Sequence, residues 1–306
     1  MFDLAIIGGG PAGVSAGVYA SRKQLKTIFL TDSWGGQSIV SDSIENWIGT
    51  TTISGAKLAE DLKNHLKAYA GDTVEIHDGT WVKKVSKKDD YFLIETNKSS
   101  FEAKTVLITT GSTRRKLEIP GAETFEHKGI TYCASCDGPL FSGQDVAVIG
   151  GGNAAFESAA QLLAYCKSVT LVNRSNEFRA DPITVEKVLS HPSMRVIKNV
   201  DVAEVKGDKF ANTLVYKDRN TGELHDLAVT GIFVEIGLLP STDYVSDVVE
   251  LNQYKQIITD PRTQQTKTKG VWAAGDCTDT LYHQNNIAAG DAVRALEDIY
   301  STLKTK

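Results

Sequence analysis

Three scarcities in the 306-residue sequence narrow the kinds of protein that it encodes. Four cysteines are too few for the disulfide framework of a small secreted domain, so we expect a reducing, cytoplasmic setting. Lys and Arg (33) are outnumbered by Asp and Glu (38), and no basic run occurs, which argues against binding to nucleic acid or an anionic membrane. No apolar run approaches the ~20 residues of a transmembrane helix, and the N-terminus lacks the features of a signal peptide.

The strongest architectural signal that is present is an internal duplication. Each copy has a short apolar strand, a glycine cluster and a helix of small residues, at residues 4–20 and again at 146–163. A second strand follows each helix at the same distance, at residues 27–31 and 169–172. Two strand–helix–strand units of this kind predict two parallel sheets, each with a right-handed crossover.

Antiparallel segments and a closing strand follow each copy. We predict antiparallel strands at 82–85, 91–96 and 101–103 in the first half, and at 202–205, 214–218 and 224–227 in the second. Buried closing strands are predicted at 106–109 and 232–236, and amphipathic helices at 56–69 and 287–303. We expect the last strand, at 270–276, to return to the first sheet. The first domain then comprises residues 1–112 and 243–306, and residues 113–242 form an inserted second domain.

In the first copy, Gly8, Gly10 and Gly13 match the pattern G-x-G-x-x-G between a strand and a helix. These glycines permit a tight turn, the close approach of a pyrophosphate and the packing of the helix on the strand. The helix N-terminus, which includes Ala12, supplies N–H groups and a positive dipole to phosphates. Asp32 falls at the end of the next strand, where a carboxylate accepts hydrogen bonds from a ribose. The pattern favours dinucleotide binding over an ordinary glycine-rich turn.

In the second copy, Gly150, Gly152 and Ala155 match the variant G-x-G-x-x-A, with Asn153 inside the loop. Asn173 stands at the end of the next strand, where an NAD site would have a carboxylate. Arg174 and Arg179 follow it, and two guanidinium groups suit the 2′-phosphate of NADP. The local chemistry therefore favours NADP over NAD, against the alternative that both arginines are merely solvated.

The sharpest local feature is Cys133-Ala134-Ser135-Cys136-Asp137. A C-x-x-C spacing permits a small disulfide and lowers the pKa of one thiol, so that a thiolate is available for exchange. Zinc is the competing interpretation, but a structural zinc site needs four ligands, and no suitable third and fourth ligands are spaced for it. Asp137 is either a general acid or a helix cap. Cys166, in a predicted apolar helix, and Cys277 are interpreted as structural, and no metal site is expected.

Two dinucleotide loops with a C-x-x-C just before the second form a specific combination. On these motifs the chain resembles, over essentially its whole length, the low-molecular-weight thioredoxin reductases. It is also similar to the reductase half of the flavoprotein subunit of alkyl hydroperoxide reductase. Further matching stretches are residues 34–37, 44–47, 109–111, 231–240 and 273–277. The resemblance implies an α/β fold of the class II pyridine nucleotide-disulfide oxidoreductase type, with two Rossmann-like domains that each carry an antiparallel β insert.

The resemblance also implies roles for individual residues. The first loop would hold FAD, and the flavin site would be lined by Gly36, Gln37, Asn46, Gly111, Asp276 and Gln284. The second loop would hold the nicotinamide nucleotide. Cys136 would be the flavin-proximal thiol, Cys133 the thiol that exchanges with the partner disulfide, and Asp137 the acid. Such enzymes are homodimers whose nucleotide domain rotates. Because this chain starts directly at the flavin strand, we expect its acceptor to be a separate thioredoxin-like or glutaredoxin-like protein.

Departures from the family patterns bear on the electron donor. NADPH-dependent thioredoxin reductases typically show H-R-R-x-x-x-R where this chain has Asn173, Arg174, Ser175 and then Arg179. The hydroperoxide-linked relatives typically carry Glu at the position of Asn173, and thioredoxin reductases often carry Arg at that of His283. NADPH stays favoured, with NADH less so and ferredoxin or reduced flavin as a third donor. A dithiol oxidase that uses O₂ and a non-catalytic redox sensor are the alternative functions.

Overall fold

The structure, a computed structural model, describes residues 1–41 and 43–304. The chain divides into two compact units. The flavin unit, named for its predicted ligand, comprises Met1–Thr113 and Leu239–Lys306, and the nucleotide unit comprises Arg114–Leu238. The observed division lies one residue from the expected boundary at 112 and four from that at 243. Among the described residues, no helix combines the length and apolarity that crossing a membrane requires.

The flavin unit is built on a seven-stranded sheet in the order β3-β2-β1-β6-β5-β4, with β17 also paired to β6. Its strands are β1 (Phe2–Gly9), β2 (Thr27–Trp34), β3 (Val74–Asp78), β4 (Val82–Lys87), β5 (Phe92–Thr96), β6 (Ser100–Ile108) and β17 (Val271–Ala273). Its helices are α1 (Pro11–Arg22), α2 (Gly55–Ala70) and α6 (Asn285–Lys304), with 3₁₀ turns at Gly36–Val40 and Asp243–Val245.

Strand β1 occupies the middle of this sheet, between β2 and β6, and pairs parallel with both. Leu4 and Ile6 pack into one apolar cluster with α1, α2 and α6. Ala5 and Ile7 pack into a second cluster on the opposite face. Burial on both faces explains why the first strand reads as a continuous apolar run rather than as an alternating one.

Two expectations about strands have different outcomes. The prediction of separate strands at 101–103 and 106–109 is wrong, because β6 runs unbroken over Ser100–Ile108. It pairs antiparallel with β5 along its first half and parallel with β17 along its second, so one strand serves both the insert and the closing position. The pairing of Val271 with Val106 confirms that the final strand returns to the first sheet.

The nucleotide unit repeats the plan with a five-stranded parallel sheet in the order β11-β10-β9-β15-β8 and a separate antiparallel sheet, β12-β13-β14. The parallel strands are β8 (Ile130–Thr131), β9 (Asp145–Ile149), β10 (Ser168–Asn173), β11 (Met194–Lys198) and β15 (Gly231–Val234). The antiparallel strands are β12 (Val200–Gly207), β13 (Ala211–Asp218) and β14 (Leu224–Ala228). The helices are α3 (Ala134–Asp137), α4 (Asn153–Leu162) and α5 (Pro182–Leu189), with a 3₁₀ turn at Gly138–Phe141. Two connecting strands, β7 (Ser112–Arg114) and β16 (Leu238–Pro240), pair with each other.

Apolar side chains cover both faces of the parallel sheet in the nucleotide unit as well. Val146, Val148 and Phe156 belong to the cluster beneath α4, whereas Ala147 and Ile149 pack toward the antiparallel sheet. The prediction of two Rossmann-like units, each with an antiparallel insert, is confirmed.

Candidate nucleotide and disulfide sites

The glycines of the first loop are required for different reasons. Gly8 has φ +123°, and a Cβ there would overlap the carbonyl group of Thr109. A Cβ on Gly13 would overlap the carbonyl oxygen of Gly8, so glycine at this position lets α1 pack against the end of β1. The chain's own packing therefore accounts for the first and third glycines of the pattern.

Gly10 differs, because packing within the protein does not require glycine there. A Cβ on Gly10 would find only the Cα of Gly36 within 4 Å, at 3.9 Å, and among the described residues no side chain caps α1. This open cradle at the start of a helix fits a pyrophosphate, which needs close backbone approach and free N–H donors. The residues of the first loop therefore fit FAD.

Residues predicted for the flavin site come together around this loop within the flavin unit. The Gln37 side-chain amide donates to Ser112 Oγ at 3.1 Å and to Asp276 Oδ2 at 3.5 Å. Asn46 Nδ2 donates to Gln284 Oε1 at 3.3 Å. These residues come from four separate stretches of the chain, which the fold gathers into one polar cluster.

The remaining predicted flavin-unit residues have simpler surroundings. Ala12 is buried in the first turn of α1, and Asp32 is exposed near the end of β2. Gly111 has φ +62° with no atom within 4 Å of its would-be Cβ, and Gly36 has φ +62° facing Gly10. His283 accepts or donates toward the carbonyl oxygen of Thr280, 3.1 Å from its Nε2. The space beside the two glycines adds to the cradle at Gly10.

The second loop has the same division of roles. Gly150 has φ +149°, and a Cβ there would overlap the carbonyl oxygen of Glu235. Ala155 packs beneath the loop, fully buried, in the place of the third glycine. At Gly152, by contrast, a Cβ would find no atom within 4 Å. The second cradle therefore also fits a dinucleotide.

Polar contacts fix the segment between β10 and α5 beside the second loop. Asn173, only 6% exposed, donates through Nδ2 to the carbonyl oxygens of Ser175 (2.8 Å) and Glu177 (3.0 Å). The backbone N–H of Arg179 donates to the carbonyl oxygen of Gly151 at 2.8 Å. Asn153 Oδ1 accepts from the backbone N–H of Asp181 at 2.8 Å. Asn173 and Asn153 thus hold the backbone in shape.

Arg174 lies apart from these contacts. Its side chain is 77% exposed, and its Nε lies 3.2 Å from Asp201 Oδ1. The structure therefore places the two predicted phosphate-binding arginines differently: Arg179 is attached through its backbone to the glycine loop, and Arg174 is paired with a carboxylate on β12.

Cys133 and Cys136 form a disulfide across the single helical turn α3. The backbone N–H of Cys136 lies 3.2 Å from Cys133 Sγ, and both cysteines are half-buried. Among the residues that the structure describes, no three His, Cys, Asp or Glu side chains group as a metal site requires. Because the two sulfurs are bonded to each other, the pair is in the form that a dithiol–disulfide centre needs.

Thr131 connects the disulfide segment to Asp137, and sequence reasoning missed it. Its hydroxyl donates to Asp137 Oδ2 and lies 3.4 Å from the backbone N–H of Cys133. Thr131 ends the two-residue strand β8, which was too short to be seen as a strand in the sequence. Asp137 lies inside α3 with its carboxylate tied to Thr131, which argues against a simple capping role.

Glu235 is a second residue that the sequence did not single out. It follows β15, and its side chain is only 12% exposed. Ser158 Oγ donates to its carboxylate at 2.7 Å, and Arg114 lies 3.8 Å away. Burial raises the pKa of Glu235, and Arg114 and Ser158 partly oppose that shift. Its backbone carbonyl touches the position of Gly150, so this carboxyl group lies directly beneath the second loop.

The other two cysteines are buried and free. Burial raises the pKa of Cys166 to about 11 and that of Cys277 to about 12, which keeps both thiols protonated at neutral pH. Cys166 lies beyond the end of α4, in the turn before β10, so its predicted position inside a helix is wrong. Its interpretation as buried packing is confirmed.

Comparisons with known proteins agree with this arrangement. The sequence pattern of the pyridine nucleotide-disulphide oxidoreductase family matches residues 2–292. A Bacillus subtilis NADH dehydrogenase is 40% identical over 294 residues, which are 96% of this chain and 57% of that protein. An alkyl hydroperoxide reductase subunit of Escherichia coli is 38% identical over 296 residues, with 96% and 57% covered. The chain thus spans a little over half the length of these relatives.

A solved structure of similar length also matches. Thioredoxin reductase from Streptococcus pyogenes superposes with a TM-score of 0.89 at 34% identity, covering 100% of this chain and 99% of that one. The match extends over both units and includes the connections between them.

Proposed function

The chain belongs to the pyridine nucleotide-disulphide oxidoreductase family, and from this premise we propose that it is an FAD-dependent disulfide reductase. Electrons would pass from NAD(P)H through FAD and the Cys133–Cys136 pair to the disulfide of a small protein. The observation that carries this proposal is the disulfide in the nucleotide unit, together with an open glycine cradle in each unit. A plain glycine-rich turn would leave no reason for glycine at Gly10 and Gly152.

The flavin unit's residues bind and orient the cofactor. Gly10 and Gly36 leave room for the pyrophosphate, and Gln37, Asn46 and Asp276 offer side-chain amide and carboxylate groups beside it. When bound, FAD supplies the two-electron chemistry that links a nicotinamide to a disulfide. The protein contributes position and local electrostatics.

In this proposal the two sulfurs have different tasks. Reduction breaks the Cys133–Cys136 bond with two electrons and two protons and gives a dithiol. The Cys133 thiolate then attacks the acceptor's disulfide and forms a mixed disulfide, releasing one acceptor thiol. Cys136 next attacks Cys133 Sγ, restores the internal disulfide and releases the second acceptor thiol. Asp137, oriented by Thr131, would exchange the proton at a cysteine sulfur.

The acceptor in this proposal is a separate thioredoxin-like or glutaredoxin-like protein, and the enzyme is a homodimer. Support comes from the structural match to a protein named thioredoxin reductase, which has nearly the same length as this chain. The relative from Escherichia coli is named as part of an alkyl hydroperoxide reductase, and the match covers only 57% of its length.

For the donor we propose NADPH rather than NADH. Arg174 and Arg179 follow β10, and Asn173 stands where a ribose-binding carboxylate would be expected. The relative named NADH dehydrogenase represents the opposite preference. Anaerobic titration with NADPH and NADH in turn, followed by flavin absorbance, separates these donors. Bleaching by neither would favour ferredoxin, a reduced flavin or a dithiol as the donor.

The test of the main proposal is the Cys136→Ser variant. Flavin reduction by NAD(P)H should persist, and turnover of a thioredoxin disulfide should fall to background. Because Cys133 remains, this variant should also form a stable mixed disulfide with thioredoxin, which Cys133→Ser should not form. The matched control is Ser135→Ala, which lies in the same turn and should keep turnover. A Cys136→Ser protein that still reduces thioredoxin would disprove the assignment.

A further inference from the structure

A cluster of three charged side chains lies at one edge of the parallel sheet in the nucleotide unit. Arg174 follows β10, Asp201 lies near the start of β12, and Arg219 follows β13. Arg174 Nε lies 3.2 Å from Asp201 Oδ1, and Arg219 Nε lies 3.2 Å from Asp201 Oδ2. Arg219 Nη1 also donates to the carbonyl oxygen of Arg174 at 3.4 Å. Two guanidinium groups thus share one carboxylate.

Backbone contacts fix this cluster to the carboxyl ends of the strands. The N–H of Arg219 donates to the carbonyl oxygen of Asn199 at 3.0 Å, and the N–H of Asn199 donates to that of Ser175 at 3.4 Å. Ser175 belongs to the segment that Asn173 holds in shape beside the second glycine loop. In a Rossmann-like unit, the end of the second strand is where the 2′ position of the adenosine ribose is recognised. Arg219 therefore reaches that position from the antiparallel sheet.

The charge at this edge suits an anion. Asp201 offsets one of the two guanidinium groups, so the cluster keeps a net positive charge. Lys198, at the end of β11, adds another cation, with its Nζ 4.1 Å from the centre of the Phe178 ring. The carboxylate that would recognise an unmodified ribose is replaced by Asn173, whose Nδ2 is already engaged with backbone carbonyls.

We propose that Arg219 is a specificity residue of the coenzyme site, and that with Arg174 it forms a two-arginine receptor for the 2′-phosphate of NADP. This inference rests on the proposed function. Arg219 supplies the second guanidinium group that the residues directly after β10 lack. Asp201 holds both side chains together, which lowers the entropy lost when a phosphate binds between flexible arginines. Arg219 lies 46 positions after Asn173, so no local motif contains it.

The test uses full-length, flavin-loaded protein and two probes without a nicotinamide ring, 2′,5′-ADP and 5′-AMP, with affinities measured by isothermal titration calorimetry. Wild type should bind 2′,5′-ADP at least tenfold more tightly than 5′-AMP. Arg219→Ala should weaken 2′,5′-ADP binding about tenfold and 5′-AMP binding less than twofold. Arg219→Lys should fall between, because an ammonium group keeps the charge without the planar fork.

Arg195→Ala is the matched control, because Arg195 is an exposed arginine of the same sheet, near the other end of β11. It should leave both affinities unchanged. Equal losses for both probes in Arg219→Ala, or no loss, would overturn the inference. Arg219 is 41% exposed, so its replacement should leave the melting temperature unchanged.

Failure of this inference can be told from failure of the proposed function. A yellow protein that reduces thioredoxin with NADH and binds both probes equally would overturn the role of Arg219 and leave the disulfide reductase intact. A protein that discriminates the 2′-phosphate through Arg219 but cannot hold flavin or reduce thioredoxin would have the opposite result.

Discussion

The hydroxyl group of Thr131 belongs to the redox centre although it lies outside the cysteine motif. The spacing of Cys133 and Cys136 predicts a disulfide centre, and the adjacent Asp137 suggests a proton carrier. No sequence pattern connects Thr131 with them, because its role depends on a two-residue strand that brings its hydroxyl to the carboxylate of Asp137. Similarly, no local pattern connects Arg219 with the residues after β10, because the ion pairs that join them form only once the antiparallel sheet has folded.

Replacing Thr131 by Val should impair the proton-transfer half of the reaction. The Asp137 carboxylate would lose its hydrogen-bond donor and its fixed orientation, so thioredoxin reduction should fall about three- to tenfold. Thr131→Ser retains the hydroxyl group and should stay within twofold of wild type. Steady-state turnover measures the loss, and stopped-flow flavin reduction by NADPH should be unchanged in both variants. Equal turnover for Val and Ser would show that the hydroxyl group has no part in the chemistry.

Glu235 should make the protein less stable as the pH rises. Its pKa is raised in the folded protein above the ordinary 4.5, so the folded state holds a proton that the unfolded chain releases. The free energy of unfolding therefore decreases as the pH climbs from 4.5 to the raised pKa, and the loss persists above it. Glu235→Gln keeps an acceptor for Ser158 and should raise the melting temperature at pH 7 by a few degrees.

The pH series of melting temperatures contains its own check. The slope between pH 4.5 and pH 7 should be smaller in Glu235→Gln than in wild type. Glu186→Gln, which changes an exposed carboxylate on α5, should leave that slope unchanged. A slope that is identical in all three proteins would mean that Glu235 ionises normally.

At the scale of elements, the two strand–turn–helix units could be predicted in detail, because glycine spacing and apolar runs are local signals. The prediction of a helix at 56–69 is confirmed by α2, and that of a final helix at 287–303 by α6. Elements without a clean pattern were missed. Strand β11 alternates weakly because it is half-buried at the sheet edge, and α5 exposes Ile183 instead of presenting a simple apolar stripe.

The second loop offers a contrast between two neighbouring glycines. A Cβ at Gly152 would meet no protein atom, so Gly152→Ala should keep the melting temperature while weakening 2′,5′-ADP binding at least tenfold. A Cβ at Gly151 would overlap the Asn173 side chain, so Gly151→Ala should lower the melting temperature by several degrees. Calorimetry and thermal melting measure the two effects. Unchanged binding in Gly152→Ala would remove the evidence that the cradle takes a phosphate.

At the scale of the whole molecule, the duplication predicted both units, and the return of the last strand predicted that one is interrupted. The positions of the crossings were harder to place. Thr113 and Leu239 lie in short paired strands whose polar, proline-containing sequences resemble ordinary loops.

The nucleotide unit should fold without the rest of the chain. Residues 114–238 form one continuous segment with apolar clusters on both faces of its sheet. When this segment is expressed alone, we expect cooperative thermal unfolding by circular dichroism, the Cys133–Cys136 disulfide by thiol titration, and no bound flavin. A fragment of residues 1–113 lacks β17 and α6 and should not unfold cooperatively. A gradual, non-cooperative melt of 114–238 would show that it depends on its neighbour.

The pairing of Val106 with Val271 sets an order of assembly on the ribosome. When the first part of the flavin unit has been synthesised, the partner of β6 and the helix that covers α1 have not yet been translated. The nucleotide unit is complete long before then and can close while still attached to the nascent chain. The flavin unit must wait, with its sheet incomplete, for the last 68 residues. Cofactor loading is therefore a late event in biogenesis, and a stalled or truncated chain would carry the disulfide but no pigment.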